Sequence, residues 1–415
     1  MTIVDGIHNR SNYRWYILVL AALTFTFTVA MPTMCMPVLF EEISKDLKLN
    51  LVQIGAVWGM VPLAGMFVVL IGGLLGDRFG TKRVLSAGCL LAGLAGALRG
   101  LSGNFISLAA TLFLFGLLSA MIPPVVHKTC GVWFSGRHLG LANGIVSMGM
   151  AVGFTVGAMI SATVLSPLLG GWRNVMFLYG AISVVISVLW LLTRSEPNQI
   201  EPSTDSASTV PLRQALSRVV RIRDMWLLGF ILVGQSGCVQ GMLGYLPLHL
   251  REIGWTGASA DGALAAFHAT SMVGVIPMVL LSDRLGSRKA ALFAATLMTA
   301  VGVGLLSVAD GATVWASVII AGIVRDGFMA VLMTTIIEID GVGAAYAGTA
   351  MGLVLTLARL IAFLSPPIGN SLADINLGLP FVFWAALAAV ALFVSISQWR
   401  GNKDGANYYT ENRHA

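Results

Sequence analysis

The sequence predicts an all-α integral membrane protein: twelve transmembrane helices arranged as two pseudo-symmetric six-helix bundles. Three observations predict this. Only 11% of the 415 residues are charged and 57% are hydrophobic, whereas a soluble domain carries roughly a quarter charged residues. Twelve apolar runs approach the roughly 20 residues that a bilayer crossing needs. A charged phrase, GDRFGTKRV at 76–84, returns about half a chain later as SDRLGSRKA at 282–290.

The apolar runs cover 15–39, 51–75, 84–102, 105–130, 140–166, 174–193, 225–249, 257–281, 290–309, 312–337, 344–372 and 379–398. Lipid offers no hydrogen bonds, so each run must satisfy its own backbone as a helix. The first 14 residues are polar and precede a full-length span, so the first span is expected to be retained and not cleaved as a leader. Cys35, Cys89, Cys130 and Cys238 all fall inside apolar runs without ligand spacing and read as small buried hydrophobes. No metal or other cofactor is expected.

The net charge of +6 has a topological distribution. Seventeen of the 25 Lys and Arg residues fall in tails or alternate connections on one side: the N-terminus, 76–83, 131–139, 194–224, 282–289 and the C-terminus. Five fall on the other side (Lys45, Lys48, Arg99, Arg173, Arg251), and Lys128, Arg325 and Arg359 fall within spans. Positive residues mark the cytoplasmic face, so both termini are expected there, in a multi-pass protein of the cytoplasmic (inner) membrane. The basic balance is therefore no nucleic-acid footprint.

The longest polar interval, 194–224, separates an N-terminal bundle over 1–193 from a C-terminal bundle over 225–415. Its first part is rich in Ser, Thr, Pro and Glu and reads as a linker. Its second part, PLRQALSRVVRIRD, sets Leu212, Leu216, Val219 and Val220 at helical spacing among Arg213, Arg218, Arg221 and Arg223. That pattern predicts a basic amphipathic helix on the cytoplasmic leaflet.

Each charged phrase follows the second span of its half, as an internal duplication of one orientation produces. Asp77 ends a helix, where the dipole disfavours a carboxylate, so it needs a cation such as Arg78 or Arg83, or a neighbouring helix N-terminus. Gly80 permits a tight turn, and Lys82 and Arg83 anchor the loop. Asp283, Arg284, Gly286, Arg288 and Lys289 can repeat these roles. Such a cluster can latch the halves on one face and release when they rock; the alternative is a loop that only sets orientation.

GDRFGTKRV resembles the loop signature of the major facilitator superfamily, and SDRLGSRKA resembles its second-half echo, with Ser282 in place of the leading glycine. WFSGRHLGLANG (133–144) and GGWRNVMFLYG (170–180) resemble the family's connections between spans four and five and between five and six. The resemblance covers essentially the whole chain. It implies the major facilitator fold, a central cavity lined by spans 1, 4, 7 and 10 and flanked by spans 2, 5, 8 and 11, and alternating access. Cyanate-permease-like and monocarboxylate-like organic anion carriers are the branches it most resembles. GMAVGFTVG (149–157) lacks the proline of drug–proton antiporters, and NGIVSMGMAVG (143–153) lacks the nitrate-carrier signature.

Ionisable residues deep in a membrane are functional candidates by default. The candidates for substrate contact are Arg325, Arg359, Lys128, His127, Gln235 and Gln240; Asp326 and His268 are candidates for proton coupling. Arg325 and Asp326, as sequence neighbours on one helix, are expected not to face each other, so Asp326 is assigned to a cation such as Lys128 or Arg359. At least one cation then stays uncompensated, which favours an anion; arginine grips a carboxylate with two bonds. Snorkelling for Lys128, a bond to a backbone carbonyl for Arg359, structural links to other helices for Arg325 and Asp326, packing for His268 and helix glue for the glutamines are the structural alternatives. Gly140, Gly144, Gly149, Gly153 and Gly157 in span five read as packing sites.

The expected function is secondary active transport of a small organic anion, a mono- or dicarboxylate, by proton symport or anion exchange. Its partners are then the anion, the bilayer, and protons or a counter-anion; a monomer is expected. The rivals are an exporter of hydrophobic or cationic compounds and a non-transporting membrane receptor. No nucleotide loop or catalytic constellation is present in the sequence, and an enzyme is not expected.

Overall fold

The computed structural model describes residues 3–193, 212–285, 287–339 and 342–393, and within these the side chains of 3–12, 69–79, 137, 212–213, 215, 343–345 and 347 lie outside the described set. Eleven helices among the described residues are long and apolar enough to cross a membrane. In chain order they are Tyr13–Leu47, Leu51–Phe79, Thr81–Leu101, Phe105–Trp133, His138–Leu169, Trp172–Leu192, Arg223–Glu252, Gly257–Leu285, Arg288–Leu305, Gly311–Ile337 and Gly348–Asp374. A twelfth apolar helix is described over Leu379–Phe393. These are the twelve helices the hydropathy pattern predicts.

The chain forms two compact units. One comprises 1–206 with 243–272; the other comprises 207–242 with 273–415. The seventh helix therefore begins in the second unit and ends in the first, and the eighth begins in the first and ends in the second.

In the first unit, the core joins Phe25 of the first helix, Leu85 of the third, Val126 of the fourth, Val146 of the fifth and Trp190 of the sixth. Glycines bring these helices into near backbone contact. A Cβ at Gly93 would stand 3.0 Å from the Gly180 carbonyl, and one at Gly180 would stand 2.8 Å from the Gly93 carbonyl. The third and sixth helices can thus pack at that point only without side chains. Beside it, Ser187 Oγ donates to the Ser86 carbonyl at 2.7 Å, satisfying a hydroxyl that lipid could not.

The first helix is not uniform. It widens to a π-helical stretch at Phe25–Ala30, just before Pro32, where the ring removes a backbone donor. The fifth helix packs against this stretch. A Cβ at Gly153 would meet the Thr26 carbonyl at 2.8 Å, and one at Gly157 would meet Met31 Cα at 2.8 Å. Thr26 Oγ1 donates to the Gly149 carbonyl at 2.7 Å. Gly140 and Gly144 face nothing within 4 Å, so the small-residue stripe is a packing surface only over Gly149, Gly153 and Gly157.

The core of the second unit joins Leu228 and Leu232 of the seventh helix, Phe328 and Leu332 of the tenth, and Val354 of the eleventh. Trp384 of the twelfth helix is wedged against Gly241 and Gly369, leaving no room for a Cβ at either. The amphipathic segment forms a helix over Leu212–Val220. Val219 is fully buried in the second unit's core, and the Arg218 guanidinium lies 4.9 Å from the Tyr346 ring centre. Leu216 and Val220 remain exposed, so this helix docks on protein by one residue row and leaves another apolar row open.

Gly153→Ala should lower stability by about 1–3 kcal/mol, the usual cost of overpacking. Gly144→Ala should leave it unchanged. Thermal unfolding of the two purified variants in detergent measures the contrast.

Candidate functional site

The tenth helix sets the geometry of the candidate site. It breaks after Gly322: Gly311–Gly322 and Arg325–Ile337 are separate helical segments. Arg325 therefore opens a new helix, and its side chain folds back so that Nη1 donates to Asp326 Oδ1 at 2.8 Å. The rule that neighbours in a continuous helix point apart does not hold at such a break, and the expectation that Arg325 and Asp326 do not face each other is corrected accordingly. Asp326 also sits in the first turn of its helix, where the dipole favours a carboxylate.

With Arg325 paired to Asp326, Arg359 is a further cation on a membrane helix of the second unit. It lies part-way along the eleventh helix, half-buried. No hydrogen bond or ion pair to it is found among the described residues. A guanidinium offers five donors, so this one is equipped to receive an oxyanion.

The remaining candidates are spread over both units. Gln235 is buried in the second, where its Nε2 donates to Thr299 Oγ1 at 2.8 Å; it ties the seventh helix to the ninth. Gln240, also in the second, is half-buried. In the first unit, His127 is exposed, its Nδ1 donates to Asn143 Oδ1 at 3.0 Å, and its ring lies edge-on to Phe25. Lys128 beside it is half-buried. His268 is 1% exposed and packs between the rings of Phe154 and Phe267, at 5.1 and 5.4 Å.

The repeated charged phrases are structured in both units. Gly80 has φ of 80°, a conformation that favours glycine, and Lys82 Nζ donates to the Thr193 carbonyl. Arg83 lines an apolar cavity of about 270 Å³ between the third and fourth helices. The side chains of Asp77 and Arg78 lie outside the described residues, as does Gly286. In the second unit, Arg288 pairs with Glu338 and Lys289 with Asp224, each at 2.8 Å. Asp283 and Arg284 are exposed. These two ion pairs tie the loop to the tenth and seventh helices and border a polar cavity of about 550 Å³.

Two features escape a reading of the sequence. Arg99, placed there on a connecting face, is fully buried: its Nε donates to the Gly96 carbonyl at 3.0 Å, its Nη1 to the Pro32 carbonyl at 2.7 Å, and it lies over Phe115 at 4.3 Å. Asp261, at the edge of the eighth apolar run, is also fully buried and pairs with Arg251 at 2.6 Å. The signal for both was available: a charge within a few residues of the end of an apolar run.

A family model described as Major Facilitator Superfamily matches residues 15–366. The chain belongs to the Major Facilitator Superfamily. Among solved structures, a bacterial homologue of the human lysosomal transporter Spinster, inward-facing and occupied, superimposes with a TM-score of 0.75. It is 17% identical over 94% of this chain and 97% of that one, which supports the fold alone. Curated relatives include the probable galactarate/D-glucarate transporter GudP of Escherichia coli, 29% identical over 208 residues. That match covers 47% of this chain and 44% of the relative, so the chain spans under half of that relative's length. The probable sulfoacetate transporter SauU of Cupriavidus necator is 26% identical over 85% of this chain and 86% of its own. The 3-(3-hydroxy-phenyl)propionate transporter of Escherichia coli is 24% identical over 86% and 88%.

Arg99→Lys keeps the charge but not the fork, so one of the two carbonyls loses its donor. It should lower stability by about 1–3 kcal/mol. Glu338→Gln breaks a partly exposed pair and should cost less than about 1 kcal/mol. Thermal or denaturant unfolding of both variants tests the ranking.

Proposed function

We propose that this protein is a secondary active transporter of a small organic acid, working by alternating access, with Arg359 as the charge partner of the substrate's anionic group. The observation that carries this reading is the half-buried Arg359 on a membrane helix, with no partner among the described residues, while Arg325 is committed to Asp326. An uncompensated guanidinium in a low-dielectric bundle strongly favours an anion. The three relatives named above support the same substrate class, since each is named for an organic acid.

A transporter without a nucleotide site draws on an ion gradient or on exchange, and proton symport is the proposed drive. The proton then sits on a carboxylate whose neutralisation releases an arginine; Asp326, bound to Arg325, is one such group. The positive-inside distribution supports a bacterial inner membrane with both termini in the cytoplasm.

Counterflow of radiolabelled D-glucarate, sulfoacetate and 3-(3-hydroxyphenyl)propionate into proteoliposomes tests the proposal. At least one acid should exchange, and Arg359→Gln should slow that exchange about tenfold or more, as losing a charge-assisted bond predicts. Absence of exchange for any small acid tested, or full activity in the variant, contradicts it.

A further inference from the structure

The far end of the first helix carries four ionisable residues in two sets. Glu42 accepts from Ser166 Oγ at 2.6 Å and from the Trp172 backbone N–H at 2.8 Å. Asp46 accepts from Trp172 Nε1 at 3.0 Å and from Arg173. Both are thereby fixed to the start of the sixth helix. Glu41 and Lys45 belong to a different assembly within the same unit.

That assembly centres on Arg251, in the last turn of the seventh helix. Its Nε lies 3.0 Å from Glu41 Oε2, its Nη2 donates to Asp261 Oδ1 at 2.6 Å, and its Nη1 donates to the Pro247 carbonyl at 3.2 Å. One guanidinium thus joins the first, seventh and eighth helices. Beneath it the packing is apolar and tight. Trp58 closes against Gly244, where a Cβ would meet the indole at 2.5 Å, and Phe40, Leu246, Leu250 and Ala260 are all fully buried.

The two carboxylates that share Arg251 are not equivalent. Glu41 is 38% exposed and has a second cation, Lys45, at 2.6 Å. Asp261 is fully buried, and its Oδ2 has no hydrogen-bond partner among the described residues. The charged groups acting on it are Arg251 from the seventh helix and Glu41 from the first; among the described residues Lys45 pairs with Glu41. His249, buried on the seventh helix, stacks by Tyr245 at 5.7 Å.

If Arg251 withdraws, Glu41 keeps a cation and water, but Asp261 keeps neither. An ionised carboxylate left so is the form burial penalises most, and taking a proton removes the penalty. Its open Oδ2 accepts that proton without displacing an existing donor. Conversely, a proton on Asp261 cancels one of the two carboxylate charges that hold Arg251, and the one at the shorter distance. Opening and protonation must then favour each other by the same factor.

We propose that Asp261 is a proton-binding site of this transporter: ionised while Arg251 ties the first, seventh and eighth helices together, and protonated when those helix ends separate. The inference rests on the proton-driven reading above and adds a second carboxylate to it, at the helix ends and not at the Arg325–Asp326 pair. As pH falls through the Asp261 titration, the tie weakens; as pH rises, it re-forms.

Spin labels at Val52→Cys and Ile253→Cys, both exposed positions of this unit, report the separation of the helix ends in the full-length protein; the native cysteines are buried. On going from about pH 8 to about pH 5, the short-distance population should fall about fivefold or more. Asp261→Asn should show the long distance at both values, Asp261→Glu should restore the pH response, and Glu41→Gln should retain it because the proton site is intact. A wild type indifferent to pH overturns the proposal, as does an Asp261→Asn variant that responds like wild type or a Glu41→Gln variant that alone loses the response. No substrate enters this measurement. Failure of the organic-acid reading in counterflow is therefore a separate result.

Discussion

An ionised side chain within a membrane bundle must be met by an opposite charge or by backbone acceptors, because lipid and packed apolar side chains supply neither. Three arginines among the described residues show how that demand is met. Arg251 is shared by Glu41 and Asp261. Arg325 closes on its own neighbour, Asp326. Arg99 has no carboxylate among its observed partners and relies on two carbonyls and an aromatic face. Against this background Arg359 stands out as a cation whose partner is not found among the described residues, and the proposed substrate class follows from that difference.

The charges can be placed so narrowly because the helices around them approach closely. Gly93 against Gly180, and Gly153 against Thr26 and Ala30, leave no room for a side chain. Dispersion and short hydrogen bonds, not hydrophobic transfer, hold helices together in lipid, and both need such proximity. Arg99 depends on it directly: the carbonyl it binds belongs to Pro32, just past the π-helical stretch that the fifth helix packs against. A looser bundle would cost its guanidinium the Pro32 acceptor and leave only the Gly96 carbonyl of its own helix.

Hydropathy made the twelve helices legible, because a bilayer demands length and apolarity and little else. The duplicated phrase was legible for a related reason: charges are scarce, so a recurring cluster stands clear of the background. Side-chain partners were less so. The run IIAGIVRDGFMA (319–330) reads as one continuous helix, and nothing in it announces the break after Gly322 that turns Arg325 onto Asp326. Arg99 and Asp261 lie near the ends of apolar runs, where a charge is ordinarily solvated; their burial depends on neighbours distant in sequence, Pro32 and Phe115 for one and Arg251 for the other. The glycine stripe of the fifth helix was visible as spacing, but which glycines touch the first helix is a property of the crossing.

Equilibrium binding to the purified protein tests the central claim most directly, since it separates recognition from the transport cycle. In a thermal-shift titration with D-glucarate, sulfoacetate and 3-(3-hydroxyphenyl)propionate, apparent stability should rise with the logarithm of the concentration of at least one acid once it exceeds its dissociation constant. The rise should disappear in Arg359→Gln and survive in Gly144→Ala. An equal rise in Arg359→Gln and wild type would contradict the account, because the anion would then be held by some other group.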